Sequence, residues 1–374
     1  MEYKKSIFKL CYEWWKNIDK FIFFLIILLF FTGLFFSLVS TSLLVSDKLN
    51  TNDYAFFFKH LSFVFLGLMI IFIISSINED KLFKISPIIF LFSLISLFLV
   101  PIIGVEVNSA QRWIDLYFLP RFQPIELVKP FLIILISLIL SSEKYTNVYF
   151  KYLISFFITL IIALLLAAQP DIGQTLVVFF SWSVLIFISG INVVFLIISC
   201  VILSIAFYFL IKFVPKFEYI KNRILSFFDS ETGTHNLQSE KAIDSITSGG
   251  YFGKGIGEGT LKNLVPEAHT DYIISVISEE FGVIAIILIL LLFLIFIYSV
   301  FKKVYLESEE RTKLILVGCT SLILVQAMIH IGVNIRLFPT TGMTLPFLSY
   351  GGSSIIGVSI ISGIILNLTK RKVN

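Results

Sequence analysis

Stretches of about twenty mostly apolar residues recur along the whole chain, and this repetition constrains the fold more than anything else in it. Ten can be counted, at roughly 20–40, 56–76, 85–103, 125–141, 150–168, 173–190, 192–213, 272–300, 313–334 and 347–368. A helix of that length matches the ~30 Å hydrocarbon core of a bilayer. A soluble core has no need of so many. The composition agrees: 57% of residues are hydrophobic and 14% charged, against about 25% charged in soluble domains. An all-α polytopic membrane protein with ten transmembrane helices is the expected fold class, forming a single domain. The first run, from Phe21, is too long for a signal-peptide core and is expected to stay as a span. Pro130 sits inside the short fourth run, where a kink or re-entrant geometry is expected.

Orientation follows from the basic residues. With the N-terminus in the cytoplasm, 16 of the 29 lysines and arginines fall in short inner loops and tails, including Lys4, Lys5, Lys9, Lys302, Lys303 and the 370–372 run. That arrangement makes 1–19 and 369–374 cytoplasmic tails. It leaves 214–271 as one large outer loop between spans 7 and 8. Its glycine run, "SGGYFGKGIGEG", suits a mobile or substrate-hugging segment. Nothing interleaves aromatic and basic residues as a nucleic-acid surface would. Cys11, Cys200 and Cys319 suggest neither a disulfide framework nor a metal site.

Ionisable groups in or beside spans are costly and mark candidate sites. "NSAQRWIDL" places Arg112 beside Trp113 at a membrane interface, where a headgroup anchor is an equal reading. "QPIELVKP" puts Glu126 and Lys129 one turn apart, as a simple ion pair would. "AQPDIGQT" sets Asp171 between two apolar runs, with Lys129 as its expected partner across helices. In "PEAHTDYIISVISEEFG", Glu267, His269 and Asp271 fall at the rim of the eighth span. Glu279 and Glu280 follow in the helix, Glu279 roughly 12 Å deeper at 1.5 Å per residue, where they are expected to anchor packing. His269 is weak as a metal ligand and is expected to hydrogen-bond; His330, inside the ninth span, reads as an interhelical partner. "NIRLFPTTGMTLPFLSYGGSS" breaks the entry to the last span and supplies hydroxyls, among them Ser349 and Ser353, as a cavity lining would. Together these residues describe an outer-face polar cavity with cations Arg112, Lys129 and Arg336 and carboxylates Asp171 and Asp271. Such a cavity suits an anionic headgroup such as a pyrophosphate, with a rim carboxylate as general base. A flippase and a non-catalytic scaffold are the rival classes. The first needs a polar path through both leaflets; the second leaves the rim carboxylate unexplained.

The motifs "AQRWI", "QPIELVKP", "QPDIGQT", "SGGYFGKGIGEG", "VPEAHTDYIISVISEEFG" and "FPTTGMTLPFLSYGGSS", in this order, resemble the SEDS family (shape, elongation, division and sporulation), its cell-division branch more than its elongation branch. The resemblance covers nearly the whole chain from the first span. It implies a peptidoglycan glycosyltransferase of the bacterial cytoplasmic membrane. Such an enzyme polymerises lipid II, an undecaprenyl-pyrophosphate-linked disaccharide peptide, at the division septum. A class B penicillin-binding protein and other divisome proteins are the implied partners. It also implies Asp271 as catalytic base and a Lys129–Asp171 pair between neighbouring spans. Arg112, Lys129, Arg336, Glu267, His269, Ser349 and Ser353 become candidate substrate contacts, with a divalent cation (Mg or Mn) as a further offset to the pyrophosphate charge. Asn263 stands where many relatives carry a glutamate; if that acid assists catalysis, Glu258 or Glu267 is expected to take its role.

Overall fold

The computed structural model describes residues 2–41, 55–107, 110–115, 120–144, 147–213, 217–228, 234–265 and 267–370. These residues are mostly helical. In chain order the elements are α1 (Glu2–Asn17), α2 (Lys20–Thr41), α3 (Ala55–Ser76), α4 (Glu79–Ile103), β1 (Val105–Val107), β2 (Ala110–Trp113), α5 (Ile125–Leu140), α6 (Val148–Ala168), α7 (Ile172–Ile188), α8 (Val193–Phe213), α9 (Glu218–Phe228), α10 (Thr234–Gly249), α11 (Ile273–Leu306), α12 (Glu310–Asn334) and α13 (Gly352–Leu368). Among the described residues six helices are long and apolar enough to cross a membrane: α2, α3, α4, α6, α11 and α12. Shorter apolar helices include α7 and α13.

The helices pack by the means available where lipid is as apolar as the core, namely close approach at small residues and shared polar groups. Gly357 of α13 lies against the Glu126 side chain of α5, and Gly318 of α12 against Ile133. α12 is the central helix, buried along most of its length. Pro130 lies in the second turn of α5, which is assigned as one helix from Ile125 to Leu140.

Polar contacts divide the bundle into two ends. At one, Lys303 pairs with Asp19 at 2.6 Å, Trp14 donates to Ser75, and the Asn367 amide donates to the carbonyls of Ile74 and Ile77. The start of α2 and the ends of α3, α11 and α13 therefore lie together. The candidate site occupies the other end.

Three elements add to the sequence reading. The expected 1–19 tail is the helix α1. A two-stranded antiparallel hairpin, β1–β2, follows α4, so the fold is not purely α. Within the 214–271 connection the described residues form α9, α10 and a 3₁₀ turn at Leu261–Leu264, flanking the glycine run expected as a mobile or substrate-hugging segment. Its glycine run is clamped to α11, with Lys254 and Gly255 donating to the carbonyls of Glu279 and Glu280, and Val283 donating to Gly250. That clamp requires a broken helix. α11 breaks at Gly282 (φ 76°, ψ −178°), where a Cβ would strike the Tyr251 carbonyl.

The break changes the place of Glu279. It accepts from Ser245 Oγ (2.8 Å), Lys254 Nζ (3.3 Å) and the Leu261 amide (2.9 Å), all belonging to the 214–271 connection. The expectation that Glu279 lies deep among the spans is corrected. It is buried within the connection's own fold, where its charge meets three donors, and it anchors that fold to α11. Glu280, also buried, shares the segment. The side chain of Asn263 lies outside the described residues.

Candidate active site

The site assembles where the start of α11 meets β2, the start of α7 and the 337–351 stretch. Residues 267–271 form a tight turn, with the amides of Thr270 and Asp271 both donating to the Glu267 carbonyl at 3.1 Å. Glu267 enters it at φ 55°, a left-handed conformation uncommon for a residue with a Cβ. The turn is held from outside. Asn334 at the end of α12 donates to the Asp271 carbonyl (3.0 Å), Ser349 Oγ donates to the Thr270 carbonyl (2.7 Å), and the Tyr350 amide donates to the His269 carbonyl (3.2 Å). The His269 ring packs against Phe56 and Tyr350.

These contacts fix the backbone of Asp271 and leave its carboxylate unengaged. No hydrogen bond to that carboxylate is made among the described residues. The group lies deep among protein atoms yet keeps part of its surface open to solvent. Burial pushes the carboxyl up to about 7. The Glu267 charge adds to the rise, Arg112 and Arg223 oppose it, and Asp171 adds a further push. A carboxyl tuned near neutrality is suited to taking a proton at physiological pH. For His269, burial lowers the pKa and Glu267 raises it, with a net lowering.

Arg112 is aimed by the hairpin. Its guanidinium donates to the carbonyls of Pro170 and Gln169, and its Nε lies 3.6 Å from Asp171 Oδ2. Asp171 caps α7 by accepting from the Gln174 amide and also accepts from the Gln123 side chain (3.1 Å). Between Arg112 and Asp271 lies Gly342 (φ 71°). A Cβ there would sit 3.5 Å from Asp271 Oδ2 and 3.8 Å from Arg112 Nη1. Gly342 is exposed, so the carboxylate and the guanidinium border one solvent-open gap.

Several expected site residues are elsewhere. The Lys129–Asp171 pair is corrected: Lys129 Nζ binds Glu126 Oε1 (3.0 Å, the simple one-turn pair) and Gln326 Oε1 (3.0 Å), while Asp171 has Arg112. Gln174 donates to the same Glu126 oxygen, and Gln326 to the Thr344 carbonyl. Lys129 is 1% exposed, so its charge is spent inside the bundle and does not face substrate. Arg336 turns to Glu240 of α10 at 3.7 Å and is not among the charges acting on Asp271. Ser349 and Ser353 are buried and serve the scaffold. Ser349 ties the 345–349 turn to Thr270, and Ser353 accepts from the Gln123 amide and donates to the Arg121 carbonyl. His330 bonds the Met343 carbonyl through Nδ1 (2.7 Å), joining α12 to the glycine-bearing stretch.

Arg223 takes the place expected of Arg336. It rises from α9, donates to the Thr340 carbonyl at 3.0 Å and acts on Asp271. The polar 214–271 segment gave no pattern that marked it. No group of three or more His, Cys, Asp or Glu side chains is gathered for a cation among the described residues, so the expected divalent ion has no preformed cage in them.

A helical integral membrane protein with a raised carboxyl between two guanidinium groups is the class these features define. The FtsW/RodA/SpoVE family, described as cell cycle proteins, matches residues 19–374, and the chain belongs to that family. It is 32% identical to the "Probable peptidoglycan glycosyltransferase FtsW" of Haemophilus influenzae, over 98% of this chain and 96% of that one. It is 33% identical to the protein of the same name from Wigglesworthia glossinidia brevipalpis, over 96% and 93%. Among solved structures, it superposes on a chain from work on polymerization and crosslinking by a peptidoglycan synthase complex, with TM-score 0.78 at 25% identity, covering 94% of this chain and 97% of that one. Thermus thermophilus RodA, a rod shape determining protein, gives TM-score 0.69 at 25% identity, covering 94% and 96%.

Proposed function

We propose that the chain is a peptidoglycan glycosyltransferase that polymerises lipid II at the outer face of the cytoplasmic membrane, for septal wall synthesis. The observation that carries the reading is the Asp271 carboxylate. The fold holds it by its backbone, brings its pKa near neutrality and, among the described residues, leaves it without a hydrogen bond beside an open gap. In this reading ten helices cross the membrane, both termini lie in the cytoplasm, and α9, α10 and the Asp271 turn face outward. The bias of basic residues and the sharing of one bundle end by the start of α2 and the end of α13 support that orientation.

Asp271 takes the proton of the acceptor sugar hydroxyl. That oxygen attacks the donor anomeric carbon from the face opposite the lipid diphosphate. The bond to the leaving oxygen breaks with its electron pair, and the new linkage has inverted configuration. The guanidinium groups of Arg112 and Arg223 offset the charge that grows on the departing diphosphate, as preorganised cations do best in a partly desolvated site. A divalent cation would arrive on the phosphates of the substrate. The partner is a class B penicillin-binding transpeptidase, in keeping with the synthase complex among the structural relatives.

Purified chain with that partner and labelled lipid II tests the reading. Glycan strands are expected; transport of lipid II across liposomes without any polymer would make the chain a flippase instead.

A further inference from the structure

The end of the bundle away from the site carries a helix that the chemistry above does not use. α1 does not prolong α2. Residues nine apart in one straight helix are separated by about 13.5 Å along its axis, yet the rings of Trp14 and Phe23 meet in a T-shape at 5.4 Å. The chain turns at Ile18–Asp19, and Asp19 caps α2 by accepting from the amides of Phe21 and Ile22. Trp14 is clamped at this turn. Its ring also packs on Phe72, and its Nε1 donates to Ser75 Oγ (2.7 Å). Both partners lie at the end of α3, so α1 leaves the bundle at the level where the apolar helices stop.

Among the described residues α1 meets the bundle through its last turn, while Lys9, Cys11, Tyr12 and Glu13 are exposed. A 16-residue helix held at one end is close to the length at which isolated helices are marginal in water. A surface along its length would stabilise it, and the sequence names the kind of surface. Ile7, Leu10, Cys11 and Trp14 follow the i, i+3, i+4, i+7 spacing of an apolar stripe, and Lys5, Lys9 and Lys16 fall off that stripe. Lys9 meets Glu13 only at 3.9 Å with both side chains largely exposed, a pair too weak to occupy its charge. The exposed Trp15 carries the Lys20 ammonium over its ring at 5.4 Å, and tryptophan is enriched at bilayer interfaces. An apolar stripe backed by lysines, starting at the edge of a span, suits a lipid surface of negative charge. A zwitterionic surface would leave the lysines without counter-charges.

We propose that α1 lies in the plane of the membrane and binds anionic phospholipid headgroups through Lys5, Lys9 and Lys16. The proposal stands apart from the transferase reading and needs only that the chain spans a bilayer.

The test uses the full chain in nanodiscs with a nitroxide on Cys11, the exposed cysteine; Cys200→Ala removes the half-buried one, and Cys319 is buried. Oxygen, which concentrates in the bilayer, and a neutral nickel chelate, which stays in water, report where the label sits. In discs containing phosphatidylglycerol, collisions with oxygen should dominate. Lys5→Gln, Lys9→Gln and Lys16→Gln should each shift the immersion equilibrium toward water about fivefold, and Lys5→Arg, Lys9→Arg and Lys16→Arg together should keep the label immersed. A label that collides mainly with the nickel chelate in phosphatidylglycerol discs overturns the proposal. So does equal immersion in discs of phosphatidylcholine alone, which would leave the lysines no part in it. Shielding that arises only when a transpeptidase partner is added would make α1 a protein-docking helix and overturns it as well.

Discussion

Around Lys129 the protein answers its own charges; around Asp271 it does not. Lys129, Glu126, Gln174 and Gln326 join α5, α7 and α12 in one buried layer, and the ammonium and the carboxylate each meet partners at about 3 Å. Asp271 stands between the same α7 and α12 with its backbone equally well held, yet its carboxylate faces a gap edged by Arg112 and Gly342. A buried polar network with its groups paired fixes one arrangement of helices. A perturbed carboxyl left open to the outside marks chemistry. The contrast separates two kinds of charge, one within the bundle and one at its rim, that look alike in a list of residues.

The comparison can be broken in four places, taken from the largest effect down. Asp271→Asn should cut lipid II polymerisation by roughly 10²–10⁴-fold, the usual worth of a positioned base, with the melting temperature of the purified protein unchanged. A variant that polymerises at the parental rate removes Asp271 from the mechanism. Lys129→Met should do the reverse, costing about 3–5 kcal/mol of stability through the stranded Glu126 charge. The Lys129→Met/Glu126→Gln double variant should recover much of that in denaturation experiments. An additive double variant would mean that the layer is not a pair.

Gly342→Ala puts a methyl group into the gap and forces a left-handed backbone that costs an alanine about 1–2 kcal/mol. Turnover should fall more than tenfold while detergent-solubilised yield stays near parental; a fully active variant would show that substrate does not enter between Arg112 and Asp271. The smallest effect is on pH. With its pKa raised to about 7, Asp271 is protonated below that pH and ionised above it, so activity should climb through neutrality. Glu267→Gln removes a charge that raises this pKa, and the acid limb of the rate profile should move to lower pH. An unmoved limb would assign it to another group.

The apolar helices were legible because twenty-residue apolar runs have few other uses, and the position of Asp271 just ahead of one was legible because a carboxylate at the edge of such a run is costly. What failed was pairing. Lys129 and Asp171 looked like partners by adjacency of spans, but local geometry decided otherwise. Glu126 sits one turn from Lys129 on the same helix, and β2 delivers Arg112 to Asp171 from a segment too short and irregular to read as a strand. Arg336 and Arg223 were exchanged for a similar reason: one lay in a visible motif, the other in a helix inside a polar connection with no marked pattern. Gly282 sat unremarked at the head of an apolar run, and the positive φ that makes it a break comes from the glycine segment docking against it.

That break has a mechanical side. The Val283–Leu306 portion of α11 must tilt to match whatever thickness of hydrocarbon surrounds it, since mismatch is relieved mainly by tilt. A continuous rod would carry every such tilt to its upper end and swing Asp271 past Gly342. Here the rod is jointed at Gly282, and the piece above the joint is riveted to the outer connection through Glu279. Because Val283 and Ile284 below the break also donate to the carbonyls of Gly250 and Tyr251, the outer connection splints both sides of it and sets the angle between span and carboxylate.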